Sequence, residues 1–261
     1  MNRKPIKLDL DAFPSAFHPL LVGGDVYDSS CSPEARVIFI DRDGGYYLKS
    51  APKGSLATEA ALTRFFHGKH LATEVLDYLS LERDWLLTAR VRGEDCTCAM
   101  YLDDPKRLCD TLARLLRALH ETDFEGCPVQ NRIETYLATA ARNYAAGTYD
   151  TSLFPDNWSY ASAEEAWKVL KENKHLLQND TLLHGDYCLP NVMLDDWKFS
   201  GFIDLGNGGV GDRHIDLFWG AWTLHFNLKT DRYRERFFDA YGRDKINLDM
   251  LGVIAAAEVF G

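Results

Sequence analysis

The densest polar cluster in the chain is the stretch LLHGDYCLPNVMLDDWKFSGFIDLGNGG, residues 182–209, in which Asp186, Asn191 and Asp204 follow one another at intervals of five and thirteen. Apolar runs flank each of them: Leu182 and Leu183 precede His184, Val192 to Leu194 follow Asn191, and Phe202 and Ile203 precede Asp204. Short buried strands are therefore expected to hold a polar loop and a following carboxylate on one rim. Such a rim offers a base and two oxygen ligands for a hard cation. Phosphoryl transfer from ATP needs this inventory: a carboxylate to orient an attacking hydroxyl, an Asn and an Asp to hold Mg²⁺ on the phosphates, and a Lys to clamp them. Lys49, ending YYLK, and Glu59, in the helix after it, are the candidate Lys–Glu ion pair.

Taken singly, these residues have plainer readings. A Lys at a strand end is usually solvated, Glu59 favours a helix first turn, Asn191 after Pro190 suits an Asx turn, and Asp204 suits the turn at Gly206. Together and in this order they are hard to explain that way. Two other chemistries fit less well. His184 with Cys188 invites a Cys–His hydrolase, but closeness in sequence does not give nucleophile geometry and no oxyanion loop is evident. Glycines 206, 208, 209 and 211 lack the βαβ unit of a dinucleotide loop.

The elements that must position this set read as strands first and helices after. RVIFI (36–40) and YYLKS (46–50) are β-branched and aromatic runs separated by the turn cluster 41–45, which predicts a hairpin in a small antiparallel sheet. ATEAALTRFF then reads as a helix with Glu59 near its first turn, and 84–91 as a buried strand. From Pro105 the spacing of Leu108, Leu112, Leu115, Leu116 and Leu119 predicts a core helix. Further helices are expected over 132–146 and from Ser162, where Glu165 gives a capping-box spacing. The stretch TYDTSLFPDNWSY between them reads as an ordered surface loop. The expectation is an α+β fold, with a boundary near 89–93.

Composition narrows the classes. At 261 residues, 46% apolar and 26% charged, the chain can bury a core and is neither disordered nor a disulfide scaffold. A net charge of −10 disfavours nucleic acid and anionic membrane as partners and favours a cationic ligand. The six cysteines form no CxxC pair and no zinc spacing, the start MNRKPIKLDL lacks a signal-peptide core, and no apolar run reaches the roughly 20 residues a membrane helix needs. Reduced thiols in a cytoplasmic protein, monomer or homodimer, are expected.

HGDYCLPN followed by SGFIDLG, with YYLK, the Glu59 helix, WLLTARVRG, GVGDR and the C-terminal AEVF, resembles the aminoglycoside phosphotransferase family, and most closely the 3′-phosphotransferases, over nearly the whole chain. The resemblance implies the two-lobed protein-kinase-like fold: a nucleotide-binding lobe over 1–88, a hinge at 89–93, and a catalytic and substrate-binding lobe over 94–261. It implies Mg²⁺ and ATP, with Asp186 as catalytic base, His184 as organiser of its loop, and Asn191 and Asp204 as Mg²⁺ ligands. Lys49 would bind the α- and β-phosphates, steadied by Glu59. Tyr47 would stack on adenine, the backbone at Ala89 and Val91 would bond the adenine edge, and Ser32 would offer a hydroxyl in the phosphate loop. Asp156, Glu258 and the terminal carboxylate beside Phe260 would face a cationic aminoglycoside.

Several positions depart from that family. Asn207 stands where Arg is common, Ala257 where Asp is common, and Phe226 and Asn227 where acidic residues can occur, while Gly261 moves the terminal carboxylate by one residue. Each lost carboxylate would remove a charge-assisted bond of about 1.5–3 kcal/mol. Three functions remain open at this point: an aminoglycoside O-phosphotransferase conferring resistance; a kinase of choline, a sugar or a macrolide, with FWGAWTLHF supplying rings for a quaternary ammonium; and a silent nucleotide-binding protein. The intact Lys49, Glu59, Asp186, Asn191 and Asp204 set argues against the third. Leu217, Phe218, Ala221, Trp222 and Leu224 in that aromatic run also read as an ordinary core stripe.

Overall fold

The computed structural model describes residues 3–151 and 158–261. Its strands are β1 (Lys4–Pro5), β2 (Asp25–Asp28), β3 (Arg36–Asp41), β4 (Tyr46–Pro52), β5 (Val75–Ser80), β6 (Arg83–Ala89), β7 (Glu94–Asp95), β8 (Thr181–Leu183), β9 (Val192–Asp195), β10 (Lys198–Phe202) and β11 (Gly209–Gly211). Its helices are α1 (His18–Leu21), α2 (Ala57–Gly68), α3 (Ala99–Leu102), α4 (Pro105–His120), α5 (Arg132–Ala146), α6 (Ala163–Asn173), α7 (His214–Leu228), α8 (Arg234–Tyr241) and α9 (Leu248–Glu258). The chain divides into two compact units, Met1–Cys96 with Pro190–Gly206, and Thr97–Leu189 with Asn207–Gly261.

The first unit holds a six-stranded antiparallel sheet in the order β1-β2-β3-β4-β6-β5. Strand alternation sorts its faces. Ile38, Ile40, Leu48, Trp85 and Leu87 point to one side, where the N-terminal segment covers them with Phe13, Phe17 and Leu21. Ala51 and Leu86 point to the other, against Leu56 and Ala60 of α2. Lys49 and Tyr47 alternate with Leu48 and so share the α2 face, which brings α2 and its Glu59 to Lys49.

Pro190–Gly206 belongs to this unit and not with the rest of 94–261, which corrects the continuous division expected from the sequence. The cause is strand pairing. β9 lies between β7 and β10 in a three-stranded antiparallel sheet, and the Phe202 amide donates to the Leu71 carbonyl at 2.8 Å. β9 and β10 are joined by Asp196 and Trp197, both at positive φ, the conformation that a two-residue hairpin turn matching strand twist requires.

No side chain of its own caps the start of α2. Asp84, at the buried start of β6, does so instead: its carboxylate accepts from the Leu56 amide at 2.9 Å, the Tyr78 hydroxyl at 3.0 Å and the Ser80 hydroxyl at 2.7 Å. Burial alone would raise this carboxyl, yet the bonds it accepts hold it down at about 2. Asp84→Ala should therefore cost about 1–3 kcal/mol at neutral pH, since it strands the buried Leu56 amide and removes the acceptor of two part-buried hydroxyl bonds. The folded-state pKa is depressed, so this stability is present above the ordinary carboxylate range and is lost as pH falls toward about 2. Chemical denaturation at pH 7 and pH 3 measures it; a variant as stable as the parent at pH 7 would contradict the capping role.

The second unit is mainly helical, with α4 packed on α7 and α8, and both α5 and α6 against α9. The leucine stripe of α4 is buried at Leu108, Leu112, Leu116 and Leu119. Ser162 caps α6 by accepting from the Glu165 amide at 3.2 Å, the half of the capping box its spacing predicts, while the Glu165 carboxylate reaches one residue further back and accepts from the Ala161 amide at 2.8 Å. β8 is wholly buried and pairs with β11. Among the described residues, no helix is long and apolar enough to cross a membrane.

Candidate active site

In the first unit, Lys49 leaves β4 with its ammonium between two carboxylates. Its Nζ lies 3.0 and 2.9 Å from the two oxygens of Glu59 and 2.7 Å from Asp204 Oδ1. Burial alone would pull the Lys49 ammonium down, but Asp204 and Glu59 more than reverse this and hold it above its ordinary range. Burial pushes the Glu59 carboxyl up against the pull of Lys49; the two bonds Lys49 donates to it favour a charged pair. Asp204 sits at φ 57°, a left-handed conformation that costs a non-glycine residue roughly 1–2 kcal/mol and is typical of functional positions. The Ile203 amide donates to the Asn191 carbonyl at 3.1 Å, so Asn191 and Asp204 leave neighbouring stretches of backbone.

Tyr47 lines a cavity of about 170 Å³ with Arg3, Arg90, Gly93, Glu94, Asp95 and Met193. Arg3 lies over the Phe39 ring at 3.6 Å and donates to the Tyr47 hydroxyl at 3.1 Å. Ala89 is committed to the sheet: its amide donates to the Glu74 carbonyl at 3.1 Å and its carbonyl accepts from Thr73 Oγ1 at 2.7 Å. The Val91 amide, by contrast, finds no acceptor among the described residues. Ser32 lies exposed between β2 and β3, where it bonds Glu34.

In the second unit, β8 delivers His184, Gly185 and Asp186. The amides of His184 and Gly185 each donate to the Asp216 carboxylate at 2.8 Å. Asp216 Oδ2 also meets His120 Nε2 at 3.2 Å, and His120 Nδ1 meets the Tyr241 hydroxyl at 2.8 Å. Tyr187 donates to the Leu112 carbonyl at 2.8 Å and the Leu189 amide to Thr223 Oγ1 at 3.1 Å. The loop carrying Asp186 is thus fastened on both sides. Gly185 has φ 82°, and a Cβ there would collide with the Asn207 carbonyl, so the position requires glycine. Asp216 and His120 were not singled out in the sequence. Their signal was a lone acid and a lone imidazole within the apolar stripes of α7 and α4.

Glu258 is buried and accepts from the Tyr136 hydroxyl at 2.8 Å and Trp219 Nε1 at 3.1 Å. Arg132, whose Nη2 donates to Asn207 Oδ1 at 3.1 Å, adds a cation close enough to act on it. Burial, reinforced by Asp186, pushes the Glu258 carboxyl up to about 7 against the pull of Tyr136, Trp219 and Arg132. The folded-state value exceeds the ordinary one, so this contribution to stability is full below about pH 4.5 and is lost as pH rises through about 7, roughly 3 kcal/mol in all. Wild type should accordingly lose more melting temperature between pH 5 and pH 8 than Glu258→Gln. Parallel pH profiles would contradict the shift.

Phe260 is placed otherwise than expected. Its ring is fully buried against Tyr144, Tyr149 and Trp167, and its carbonyl accepts from Asn143 Nδ2 at 2.8 Å. Apolar burial makes it an anchor of the C-terminus, not a surface for a ligand. Asp156 lies outside the described residues. Burial and the neighbouring Asp186 push the Cys188 thiol well up, which opposes the thiolate a Cys–His hydrolase needs. A larger cavity, about 360 Å³, lies near α8 and α9 and is lined by Trp158, Tyr160, Arg234, Phe238 and Leu251 among others. It contains none of the expected catalytic groups.

The sequence model of the phosphotransferase enzyme family matches residues 32–251. The chain belongs to that family. A fellow phosphotransferase from Lactococcus lactis, named a probable aminoglycoside 3′-phosphotransferase, is 51% identical over 261 residues, covering 100% of this chain and 99% of its own. The fold is that of the aminoglycoside phosphotransferases. A solved one from Streptomyces rimosus superposes with a TM-score of 0.73 at 23% identity, covering 98% of this chain and 100% of that one, and has also been solved with ADP and streptomycin. A type VIII aminoglycoside 3′-phosphotransferase gives a TM-score of 0.69 at 24% identity over 90% of this phosphotransferase and 91% of its own chain.

Proposed function

We propose that the chain is an ATP-dependent O-phosphotransferase that moves the γ-phosphate of Mg-ATP onto a hydroxyl of an aminoglycoside, at the 3′ position, and so confers resistance in the cytoplasm. The observation that carries this reading is the Lys49 ammonium bonded at once to Glu59 and Asp204, an arrangement suited to receive phosphate oxygens. The Lactococcus relative, alike along its full length and named for this activity, supports the acceptor.

The donor chemistry suits the metal. Mg²⁺ prefers oxygen and takes one or two protein groups together with nucleotide phosphates, and the Asn191 amide oxygen and the exposed Asp204 carboxylate are of that kind. Bound there, it would neutralise charge on the phosphates. Asp186 accepts the proton of the acceptor hydroxyl as its oxygen bonds to the γ-phosphorus, and the bond to the β-phosphate oxygen breaks with its electron pair leaving on ADP. No phospho-enzyme is needed. Lys49 holds the α- and β-phosphates, Glu59 fixes Lys49, and the Ser32 hydroxyl lies in the phosphate loop. Tyr47 stacks on adenine, whose edge bonds the backbone at Ala89 and Val91. His184 and Asp216 fix the direction of Asp186. Glu258, with Asp156, attracts the ammonium groups of the acceptor, which the net charge of −10 favours.

The test is ADP release from Mg-ATP with and without kanamycin. Kanamycin-dependent release is expected. Its absence, with Mg-ATP still raising the melting temperature, would overturn the aminoglycoside as acceptor and leave a kinase of another small hydroxylated molecule.

A further inference from the structure

Helix α7 carries residues that the phosphotransfer steps above do not use. Trp219, Trp222 and Phe226 recur at i, i+3 and i+7 and so lie along one face. Their rings are in contact: Trp219 meets Trp222 edge-on at 5.2 Å and 81°, and Trp222 stacks on Phe226 at 4.9 Å and 14°. The core side of the helix, through Leu217, Phe218, Ala221 and Leu224, is buried, whereas Phe226 is 50% exposed. A core stripe accounts for the first group and not for the second.

Both ends of this ladder point to its use. At the inner end, Trp219 Nε1 donates to Glu258 at 3.1 Å, so the rings run up to the carboxylate assigned above to the acceptor. At the outer end, Lys229 adopts a left-handed backbone and lays its ammonium 4.2 Å from the centroid of the Phe226 ring. That outer ring already receives a primary ammonium, the group an aminoglycoside carries in several copies. Asn227 does not compete for a ligand, because its Nδ2 turns back to the Thr223 carbonyl at 2.8 Å.

We propose that Trp219, Trp222 and Phe226 form an acceptor subsite that takes a protonated amino sugar by cation–π contact, its ammonium displacing that of Lys229 from Phe226. The proposal rests on the aminoglycoside reading above. It gives this wall of the site an aromatic rather than carboxylate chemistry, and it makes Lys229 an internal competitor.

Steady-state kinetics with kanamycin tests it, using wild type, Phe226→Leu and Lys229→Ala, both substitutions lying at exposed positions. Phe226→Leu should raise the KM for kanamycin about 3-fold, and Lys229→Ala should lower it about 2-fold, the size of an exposed cation–π contact. kcat, the KM for ATP and the melting temperature should stay within error, which a merely structural role would not predict. Turnover by the wild type with an unchanged kanamycin KM in both variants would overturn the subsite alone. Absence of wild-type turnover would overturn the aminoglycoside reading and the subsite with it.

Discussion

Asp186→Ala is expected to lower kcat about 10²–10⁴-fold while leaving the KM for ATP within about 3-fold. The range is that of a general base removed from an otherwise intact site. The loop has supports other than the Asp186 carboxylate: the amides of His184 and Gly185 are held by Asp216, and Tyr187 is anchored on α4. The proposed metal and phosphate groups, Asn191, Asp204 and Lys49, are untouched. Turnover measured by ADP release, with nucleotide binding and melting temperature measured on the same protein, separates the two effects. A variant that turns over near the wild-type rate would show that another group takes the proton.

Lys49→Ala should act on both binding and stability. Loss of one charge-assisted contact to phosphate corresponds to about a 10- to 100-fold rise in the KM for ATP. The substitution also leaves Glu59 buried without its cation, and breaking a buried pair by removing one partner costs about 3–5 kcal/mol. The sign with pH follows from that burial. Without Lys49, the folded-state pKa of Glu59 lies above its unfolded value, so its contribution to stability is present at low pH and lost as pH rises. The melting-temperature deficit of Lys49→Ala should therefore be larger at pH 8 than at pH 5, and the double substitution Lys49→Met with Glu59→Gln should recover much of it. A deficit independent of pH, with no recovery in the double variant, would mean that the pair is not what stabilises this face of the sheet.

The sequence made some parts of this molecule easy to read and hid others. The β3–β4 hairpin was legible because RVIFI and YYLKS alternate around a turn cluster, and alternation alone places Lys49 on the face opposite Leu48. The helix carrying Glu59 was legible from its periodicity, but its cap was not, because Asp84 is 28 residues away from the amide it bonds. The loop around Asp186 was visible as a motif, yet its supports, Asp216 and His120, come from other helices, and a buried polar residue declares its partners only once the chain is folded. The burial of Phe260 was hidden for the same reason, since Tyr144, Tyr149 and Trp167 enclose it from distant positions.

The pairing of β7 with β9 has a consequence for the order in which the protein is made. Glu94 and Asp95 emerge from the ribosome early, but the strand they pair with begins at Val192. At ordinary elongation rates of roughly 5–20 residues per second, the growing chain must wait on the order of 5–20 seconds for it. During that interval the N-terminal unit is an incomplete body with an open strand edge, and it can close only after most of the helical unit has been synthesised. Nascent chains arrested short of residue 206 should be the ones that engage chaperones.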